Sequence, residues 1–419
     1  MRTAIDDQAQ AGDLRDREPE SKVRVLSLSS EYPNPGEPLK GLFVRARLQA
    51  LAALVDLTVV SPLAALDYAN PHNRILGSFR TPKRRRDLNI QVLHIRWLYP
   101  PMGGWVNAFL LFAQLLWPVA RLWRRPGFDI IDAHFAHPEG IAAALLSRAL
   151  ATPFMITLRG SELRYRRQKW KRYWMGWAIR RADRVIAVSQ GLRDLAVDLG
   201  ADPAVVKVIP NGIHADVFHP RDRAACRRKH GISGVDRVIL CAGDLAQLKG
   251  HHRAIQALKI LADEGRSAQL LIAGGTGRSG RYAADLREQV AAGGLGDRVR
   301  FLGEVAQEHL AELMCAVDIF CLASSSEGWP NVVNEALACG TPVVATDVGA
   351  VRQMIRSDRY GLIVPVDDPV ALAGAWTSAL TRDWSHEAIA AWGMARSWQH
   401  VAAEVLEQAR EVVAGACRR

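Results

Sequence analysis

Two glutamates, Glu327 and Glu335, stand eight residues apart in SEGWPNVVNEALACGTP, residues 326–342. The apolar run before this segment predicts a strand, and Pro330 predicts the first turn of a helix. Glu327 would then lie in the loop before the helix, and Glu335 on the helix itself. The free N–H groups of a helix start bind anions, and an ionised carboxylate can accept two hydrogen bonds from a vicinal diol. The spacing therefore predicts a nucleotide-sugar site, although a capping acid and a surface acid would explain the same pair.

A glycine pattern in the same half suggests a different ligand. Gly275, Gly277 and Gly280 form G-x-G-x-x-G after a predicted strand in AGGTGRSG, residues 273–280. In dinucleotide-binding folds this pattern follows the first strand of a domain. Here it falls within a domain, so we interpret it as a glycine-rich cleft loop and not as an NAD site.

The elements that must position these residues alternate between strands and helices. A strand in 22–33, a helix in 44–55 and a strand in 56–62 form one βαβ unit. The second half repeats the alternation, with strands predicted at 237–242, 268–273, 298–302, 317–322 and 342–346. This alternation predicts α/β architecture with parallel sheets covered by helices.

Two blocks of this kind predict two doubly wound, Rossmann-like domains. The predicted divisions are a disordered tail at 1–21, a first domain at 22–212, a second domain at 213–383, and C-terminal helices at 384–419 that pack back on the first domain. Open α/β sheets bind ligands beyond the carboxyl ends of their strands, so two facing domains would share one interdomain cleft.

Composition narrows the function classes. The net charge of +11 over 419 residues indicates an anionic partner: nucleic acid, an anionic membrane or phosphorylated substrates. The six cysteines form no C-x-x-C pair and mostly lie in apolar runs, which favours buried thiols in a reducing, cytoplasmic compartment. The first residues lack the apolar region of a secretory signal. The apolar stretch 105–123 is interrupted by polar residues and a proline, which argues against a transmembrane helix.

The segment SEGWPNVVNEALACGTPVVATDVG resembles the E-x7-E signature of the retaining glycosyltransferases of family four, which have the GT-B fold. SSEYPNPGEPLKGLFVRARLQAL resembles their first-strand glycine loop, and DIIDAHFAHPEG and ITLRGSEL resemble their acceptor-domain cleft loops. The stretch from RVIAVSQGLRD to VKVIPNGIHADVFHP resembles the approach to their hinge, and SWQHVAAEVLEQAREVV their final helix. The resemblance covers nearly the whole chain and implies an acceptor-binding first domain and a nucleotide-sugar-binding second domain.

This resemblance assigns roles to individual residues. Glu327 would bind hydroxyls of the transferred sugar, Glu335 the ribose, and Lys249 the diphosphate as a point charge. His134 would be the active-site histidine, with His137 as a competitor. The implied catalytic residues are His134, Glu327 and Lys249. The implied donor-binding residues are Gly41, Gly243, Lys249, Glu327, Gly328, Trp329, Pro330, Asn331, Val332 and Glu335. The implied acceptor-binding residues are Arg159 and Glu162. On local grounds alone, Gly41 is explained equally well by a turn.

The sequence departs from the family pattern at Asp244, where many members carry an arginine that pairs with the donor phosphates. Arg159 and Arg253 are candidates for its replacement. The resemblance implies retention at the anomeric carbon, with the leaving diphosphate helping to deprotonate the acceptor. We expect no metal and no cofactor, because the helix start and Lys249 would stabilise the leaving charge.

A basic, aromatic segment, RYRRQKWKRYWMGWAIRR, occupies residues 164–181, and Lys83 to Arg86 add further positive charge. Basic residues and tryptophan on one amphipathic helix suit an anionic membrane surface. A solvated basic face is the second interpretation. Nucleic acid comes third, because no nucleic-acid fold signature accompanies the segment.

The sequence thus predicts transfer of a sugar from a nucleotide-sugar, a UDP-sugar, to a glycan or lipid-linked acceptor. The expected setting is cell-surface polysaccharide assembly in the cytoplasm or on the inner face of the plasma membrane. The alternatives are a nucleotide-sugar epimerase on the same fold and a non-catalytic binding or scaffold subunit.

Overall fold

The computed structural model describes residues 22–66, 80–98, 100, 104, 106–124, 127–233, 237–276 and 280–417. The predicted disordered tail at 1–21 and Gly277 of the glycine pattern lie outside the described residues. Within them, two sheets with helices on both faces account for the fold, as the alternating pattern predicts.

The first sheet has eight strands in the order β3-β4-β2-β1-β5-β6-β7-β8. The strands are β1 (Arg24–Leu28), β2 (Asp56–Ala64), β3 (Arg84–Asp87), β4 (Ile90–Trp97), β5 (Ile130–His134), β6 (Phe154–Leu158), β7 (Arg184–Ala187) and β8 (Val206–Val208). All pairings are parallel except that of the edge strand β3 with β4. The helices are α1 (Leu42–Ala52), α2 (Asn107–Trp123), α3 (Ile141–Leu150), α4 (Ser161–Tyr165), α5 (Lys169–Ile179) and α6 (Gln190–Asp198), with a π-helical turn at Ala136–Gly140.

The second sheet has six parallel strands in the order β11-β10-β9-β12-β13-β14. The strands are β9 (Val238–Ala242), β10 (Gln269–Ala273), β11 (Val299–Gly303), β12 (Ile319–Leu322), β13 (Val343–Thr346) and β14 (Gly361–Val364). The helices are α7 (Arg223–Lys229), α8 (His251–Asp263), α9 (Arg281–Ala292), α10 (Gln307–Ala316), α11 (Asn331–Ala338), α12 (Val351–Met354) and α13 (Pro369–Thr381).

Each sheet reverses its strand order once, between β1 and β5 and between β9 and β12. Central strands of a parallel sheet are buried on both faces, and every residue of β5 and β12 is buried. A crevice opens beyond the carboxyl ends of the strands at such a reversal. The loops after β1, β5, β6, β9 and β12 therefore supply the candidate site.

The C-terminal helices divide between the domains. The last helix, α15 (Trp398–Cys417), packs against α1, where Trp398 and Val405 share an apolar cluster with Val44 and Leu48. The preceding helix, α14 (His386–Gly393), instead packs against α11 of the second domain. The prediction that 384–419 packs on the first domain is therefore correct for α15 and wrong for α14. Ile389, which is buried in the second-domain core, holds α14 there.

Candidate functional site

The two domains touch through backbone at the cleft. A Cβ placed on Gly328 would lie 2.7 Å from the Cα of Gly160, and one placed on Gly160 would lie 2.8 Å from the Cα of Gly328. Real Cβ atoms do not approach other atoms this closely, so both positions need glycine for the domains to meet. Trp329, the next residue, packs against the apolar cores of both domains.

The start of α11 lies beside this contact. The helix begins at Asn331, one residue later than predicted, and Pro330 occupies the N-cap position without a side-chain cap. The first four N–H groups of a helix have no acceptor within it, so the amides of Asn331 and Val332 are left for other partners. An uncapped helix start of this kind suits an anion.

Glu335 lies one turn into α11, on the same face as Asn331. Its carboxylate forms no hydrogen bond or ion pair with any residue that the structure describes. Burial raises the pKa of Glu335 to about 7. A partly buried carboxylate without a partner is suited to accept hydroxyl groups from a ligand.

Glu327 and Lys249 meet across two loops of the second domain. The Nζ of Lys249 lies 2.8 Å from the Oε1 of Glu327, which also accepts a 2.8 Å hydrogen bond from the hydroxyl of Ser324. The two residues predicted to contact sugar and diphosphate therefore form one ion pair. Gly250, which follows Lys249, has φ +72 and packs on the carbonyl oxygen of Ala323, where a Cβ would overlap it.

The loop after β9 is held by a residue that the sequence analysis missed, His251. Its Nε2 lies 3.1 Å from the carbonyl oxygen of Gly243 and 3.2 Å from that of Asp244. Its side chain is almost fully buried, and burial lowers the pKa of His251. The sequence shows only a histidine at the start of a helix, with no pattern that reveals two carbonyl groups facing it.

Asp244, which occupies the position of the expected arginine, is exposed and forms no ion pair with any of the described residues. Of the two predicted replacements, Arg253 is engaged by the carboxylate of Asp367 and by the carbonyl oxygen of Ala323, at 3.2 Å. Arg159 is also engaged, in the first domain. Neither guanidinium is free to take the place of the missing side chain in this arrangement.

Arg159 and His134 belong to a buried chain of polar groups. The Nε2 of His134 lies 3.2 Å from the Oδ2 of Asp132, and its Nδ1 lies 3.2 Å from the Nε and 3.0 Å from the Nη2 of Arg159. Asp132 is also paired with the guanidinium of Arg47, at 3.1 Å. His134 has no exposed surface, so in this structure it does not reach the cleft as a contact residue.

Burial and nearby charges set the ionisation of this hydrogen-bonded group of side chains. Burial lowers the pKa of His134 to about 4, so the ring is neutral at neutral pH. Burial opposes the charged form of Asp132, but Arg47 and His134 outweigh it and keep the pKa of that carboxyl below its usual range. The buried polar group therefore contains an ionised carboxylate, Asp132, beside a neutral imidazole, His134. The competitor His137 is also mostly buried, and its ring lies edge-on to Tyr165.

Two buried carboxylates tie the first-domain loops together. Glu162 accepts hydrogen bonds from the backbone N–H groups of Ala136, Arg159 and Gly160, at 2.9, 3.3 and 2.8 Å. It has no exposed surface, so the predicted acceptor contact for Glu162 does not fit its position. Glu139, which the sequence analysis missed, accepts from the backbone N–H of Ser30 at 3.0 Å, and burial raises its pKa to about 7.

Two further predicted positions are explained by local packing. Gly41 has φ +60 and lies against the carbonyl oxygen of Glu31, where a Cβ would overlap it, so the turn itself requires glycine. In the glycine pattern, a Cβ on Gly275 would meet no described residue within 4 Å, whereas Gly274, which precedes the pattern, packs on the carbonyl of Gly243. The glycine loop is therefore joined to the loop after β9.

Among the described residues, no group of three or more His, Cys, Asp or Glu side chains is arranged to hold a metal ion. Five cysteines, Cys226, Cys241, Cys315, Cys321 and Cys339, are buried free thiols. No helix in the described part of the chain is both long and apolar enough to cross a bilayer.

Two family models match the chain: residues 41–217 match "Glycosyltransferase Family 4" and residues 222–393 match "Glycosyl transferases group 1". A Bacillus subtilis (strain 168) protein named as a teichuronic acid biosynthesis glycosyltransferase, TuaC, is 27% identical over 379 residues, which cover 88% of this chain and 90% of that protein.

Solved structures share the two-domain fold. Sucrose-phosphate synthase from Thermosynechococcus elongatus aligns with a TM-score of 0.75 at 19% identity, over 94% of this chain and 100% of that one. HepE from Anabaena, solved in complex with UDP, aligns with a TM-score of 0.71 at 19% identity, over 93% of this chain and 100% of that one. The predicted fold of two facing Rossmann-like domains is confirmed.

The ionisation of Glu335 gives a pH prediction. Because a carboxylate accepts diol hydrogen bonds and its protonated form accepts fewer, affinity for a nucleotide-sugar should rise as pH increases through about 7. Below that pH the affinity should fall by up to about tenfold per pH unit. Titration calorimetry between about pH 5.5 and 8.5 measures this, and the diphosphate diester of the ligand does not titrate in that range. Glu335→Gln should flatten the profile, and an unchanged profile in that variant would exclude Glu335 as its cause.

Proposed function

We propose, from the premise that the chain is a glycosyltransferase of the group 1 and family 4 type, that it transfers a sugar from a UDP-sugar to a glycan or lipid-linked acceptor. One observation carries the proposal: the uncapped start of α11 follows Glu327, which pairs with Lys249, and precedes Glu335, which pairs with none of the described residues. The complex of HepE with UDP supports a UDP donor, and the name of TuaC, which refers to teichuronic acid biosynthesis, supports a role in cell-surface polysaccharide assembly.

The proposed reaction retains the anomeric configuration. The acceptor hydroxyl attacks the anomeric carbon on the face that the diphosphate leaves, the bond between that carbon and the diphosphate oxygen breaks, and the departing oxygen takes the hydroxyl proton. Lys249 and the amides of the α11 start stabilise the negative charge that develops on the diphosphate. We propose that these groups serve without a metal ion, while Glu327 orients a hydroxyl of the transferred sugar.

We further propose that the first domain lies on the inner, anionic face of the plasma membrane, where a lipid-linked acceptor would be found. The basic segment is two helices and not one, since α4 ends at Tyr165 and α5 begins at Lys169. Tyr173 on α5 and Trp117 on α2 are 59% and 70% exposed. Exposed aromatic rings among basic side chains suit the interface of an anionic bilayer.

A groove beside α2 supports the lipid-linked class of acceptor. It has a volume of about 650 Å³ and lies between β4 and α2. Leu93, Ile95 and Leu122 contribute apolar lining, and Arg84 and Arg121 contribute positive charge. Apolar lining beside guanidinium groups is chemically complementary to a hydrocarbon chain with a phosphate head group.

The transfer reaction is tested with purified protein, UDP-sugars and a lipid-diphosphate-linked acceptor in the presence of EDTA. We expect a product whose anomeric configuration, determined by NMR, matches that of the donor. Glu327→Ala should lower the rate by about 10²-fold or more, by analogy with the removal of other transition-state contacts. Glu308→Ala, which changes an exposed glutamate on α10, is the matched control. An epimerised nucleotide-sugar formed without acceptor would instead identify an epimerase, and an inverted product would contradict retention.

The membrane proposal is tested by co-sedimentation with vesicles that contain anionic or only zwitterionic lipids. We expect binding to the anionic vesicles at low salt, and its loss at high salt, because counterions screen surface charges. Charge-neutral changes of Trp117 and Tyr173 to alanine should weaken binding, whereas Val370→Ala, which changes an exposed apolar residue of the second domain, should not. Failure to sediment with anionic vesicles at low salt would contradict the proposal.

A further inference from the structure

A line of hydrogen bonds crosses the cleft and ends on the first residue of α11. The Nη1 of Arg159 lies 3.4 Å from the Oδ1 of Asn211, and the Nδ2 of Asn211 lies 3.0 Å from the Oδ1 of Asn331. Asn211 is only 5% exposed and lies in a Pro-Asn-Gly turn after β8. We infer that Asn211 is a positioning residue, which turns the side-chain NH₂ of Asn331 towards the diphosphate of the donor. This inference rests on the proposed function.

The first-domain end of the line has a fixed polarity. The ionised carboxylate of Asp132 only accepts hydrogen bonds, so His134 must donate to it through Nε2–H. The Nδ1 of the neutral ring is then an acceptor, which matches the guanidinium of Arg159, because a guanidinium only donates. The tautomer of His134 thus follows from its two neighbours.

The same reasoning fixes both amides. Because Arg159 only donates, the side of Asn211 that faces it must be the carbonyl oxygen, and its NH₂ must then face Asn331. That NH₂ requires the oxygen of Asn331 as its acceptor, which leaves the NH₂ of Asn331 on the opposite side. No described residue accepts a hydrogen bond from that NH₂. The orientation of each amide therefore follows from the hydrogen-bond network around it.

The chemistry at the end of the line suits an anion. The NH₂ of Asn331 is a donor beside the free backbone amides of the first turn of α11, and a diphosphate accepts hydrogen bonds only. With the opposite orientation, Asn331 would place its carbonyl oxygen against the phosphate oxygens. Since Arg159 and Asn331 belong to different domains, the favourable orientation is imposed only while the domains are together. His134 and Arg159, which the sequence analysis predicted as contact residues, would thereby act through Asn211.

The test is a near-isosteric change, Asn211→Asp. The new carboxylate can still accept from Arg159 but has no N–H for Asn331, whose amide would then turn its oxygen towards the ligand. We expect the Kd for UDP, measured by titration calorimetry, to rise by about 10- to 100-fold, the scale of a hydrogen bond to a charged group. The Kd for uridine, which has no phosphate, should not change.

The control is Gln353→Glu, which makes the same amide-to-carboxylate change at another contact between the domains. Its Oε1 accepts from the backbone N–H of Gln190 at 3.4 Å, and a glutamate retains that acceptor. We expect its Kd for UDP to match that of the wild type.

A second variant keeps the inference testable if Asn211→Asp does not fold. Asn331→Leu removes the amide itself, and we expect the same selective loss of UDP affinity. The double variant should bind UDP no more weakly than Asn331→Leu alone, because both changes remove one interaction. Wild-type affinity in either single variant, or an equal loss of uridine and UDP, would overturn the inference. If the wild-type protein binds no nucleoside diphosphate in a screen of UDP, GDP and ADP, the proposed function fails as well.

Discussion

The candidate site depends on one close contact, the backbone approach of Gly160 in the first domain to Gly328 in the second. Neither position has room for a Cβ, so the two cleft loops meet at a distance that only glycine permits. The consequences extend along the segment that follows Gly328. Trp329 reaches the apolar cores of both domains, and Asn331 receives the hydrogen bond from Asn211. A site made of two halves requires such a contact, because each half presents only part of the chemistry.

The loops that form the site are held by buried polar groups, not by the groups proposed to contact ligand. In the first domain, Glu162 and Glu139 accept backbone N–H groups from the loops after β1, β5 and β6. In the second domain, His251 bridges two carbonyl groups of the loop after β9. These hydrogen bonds favour one loop geometry, since an alternative arrangement would leave the Oε1 of Glu139, both carboxylate oxygens of Glu162 and the Nε2 of His251 unpaired. Catalysis by positioning and fixed charge requires rigidity of this kind.

The sequence predicts the fold and the chemical class of the site, because both depend on local patterns. Alternating strands and helices specify two parallel sheets, and the segment from Glu327 to Glu335 specifies a loop, a helix start and two carboxylates. The positions of His134 and Glu162 could not be predicted in the same way. Each has one partner two positions away, Asp132 for His134 and Gly160 for Glu162. Their remaining hydrogen bonds include one to a residue 25 or 26 positions away, Arg159 for His134 and Ala136 for Glu162, which no local pattern reveals. The role of Asn211 depends on contacts with residues 52 and 120 positions away, and that of His251 on how the loop after β9 folds back onto the start of α8. The donor roles of Lys249, Glu327 and Glu335 remain predictions that the geometry favours.

The most direct measurement of the central claim is the rate of sugar transfer by Gly328→Ala at saturating donor. The added Cβ would meet backbone atoms of Arg159 and Gly160, which cannot move aside as a flexible side chain does, so the domains should be held apart. Gly374→Ala is the control, since a Cβ at that exposed position on α13 meets nothing among the described residues within 4 Å. We predict that Gly328→Ala loses transfer activity while it still folds and binds UDP, with the weaker affinity expected once Asn211 no longer contacts Asn331, and that Gly374→Ala retains activity. Full activity in Gly328→Ala would contradict the claim that the two glycines must meet for the site to form.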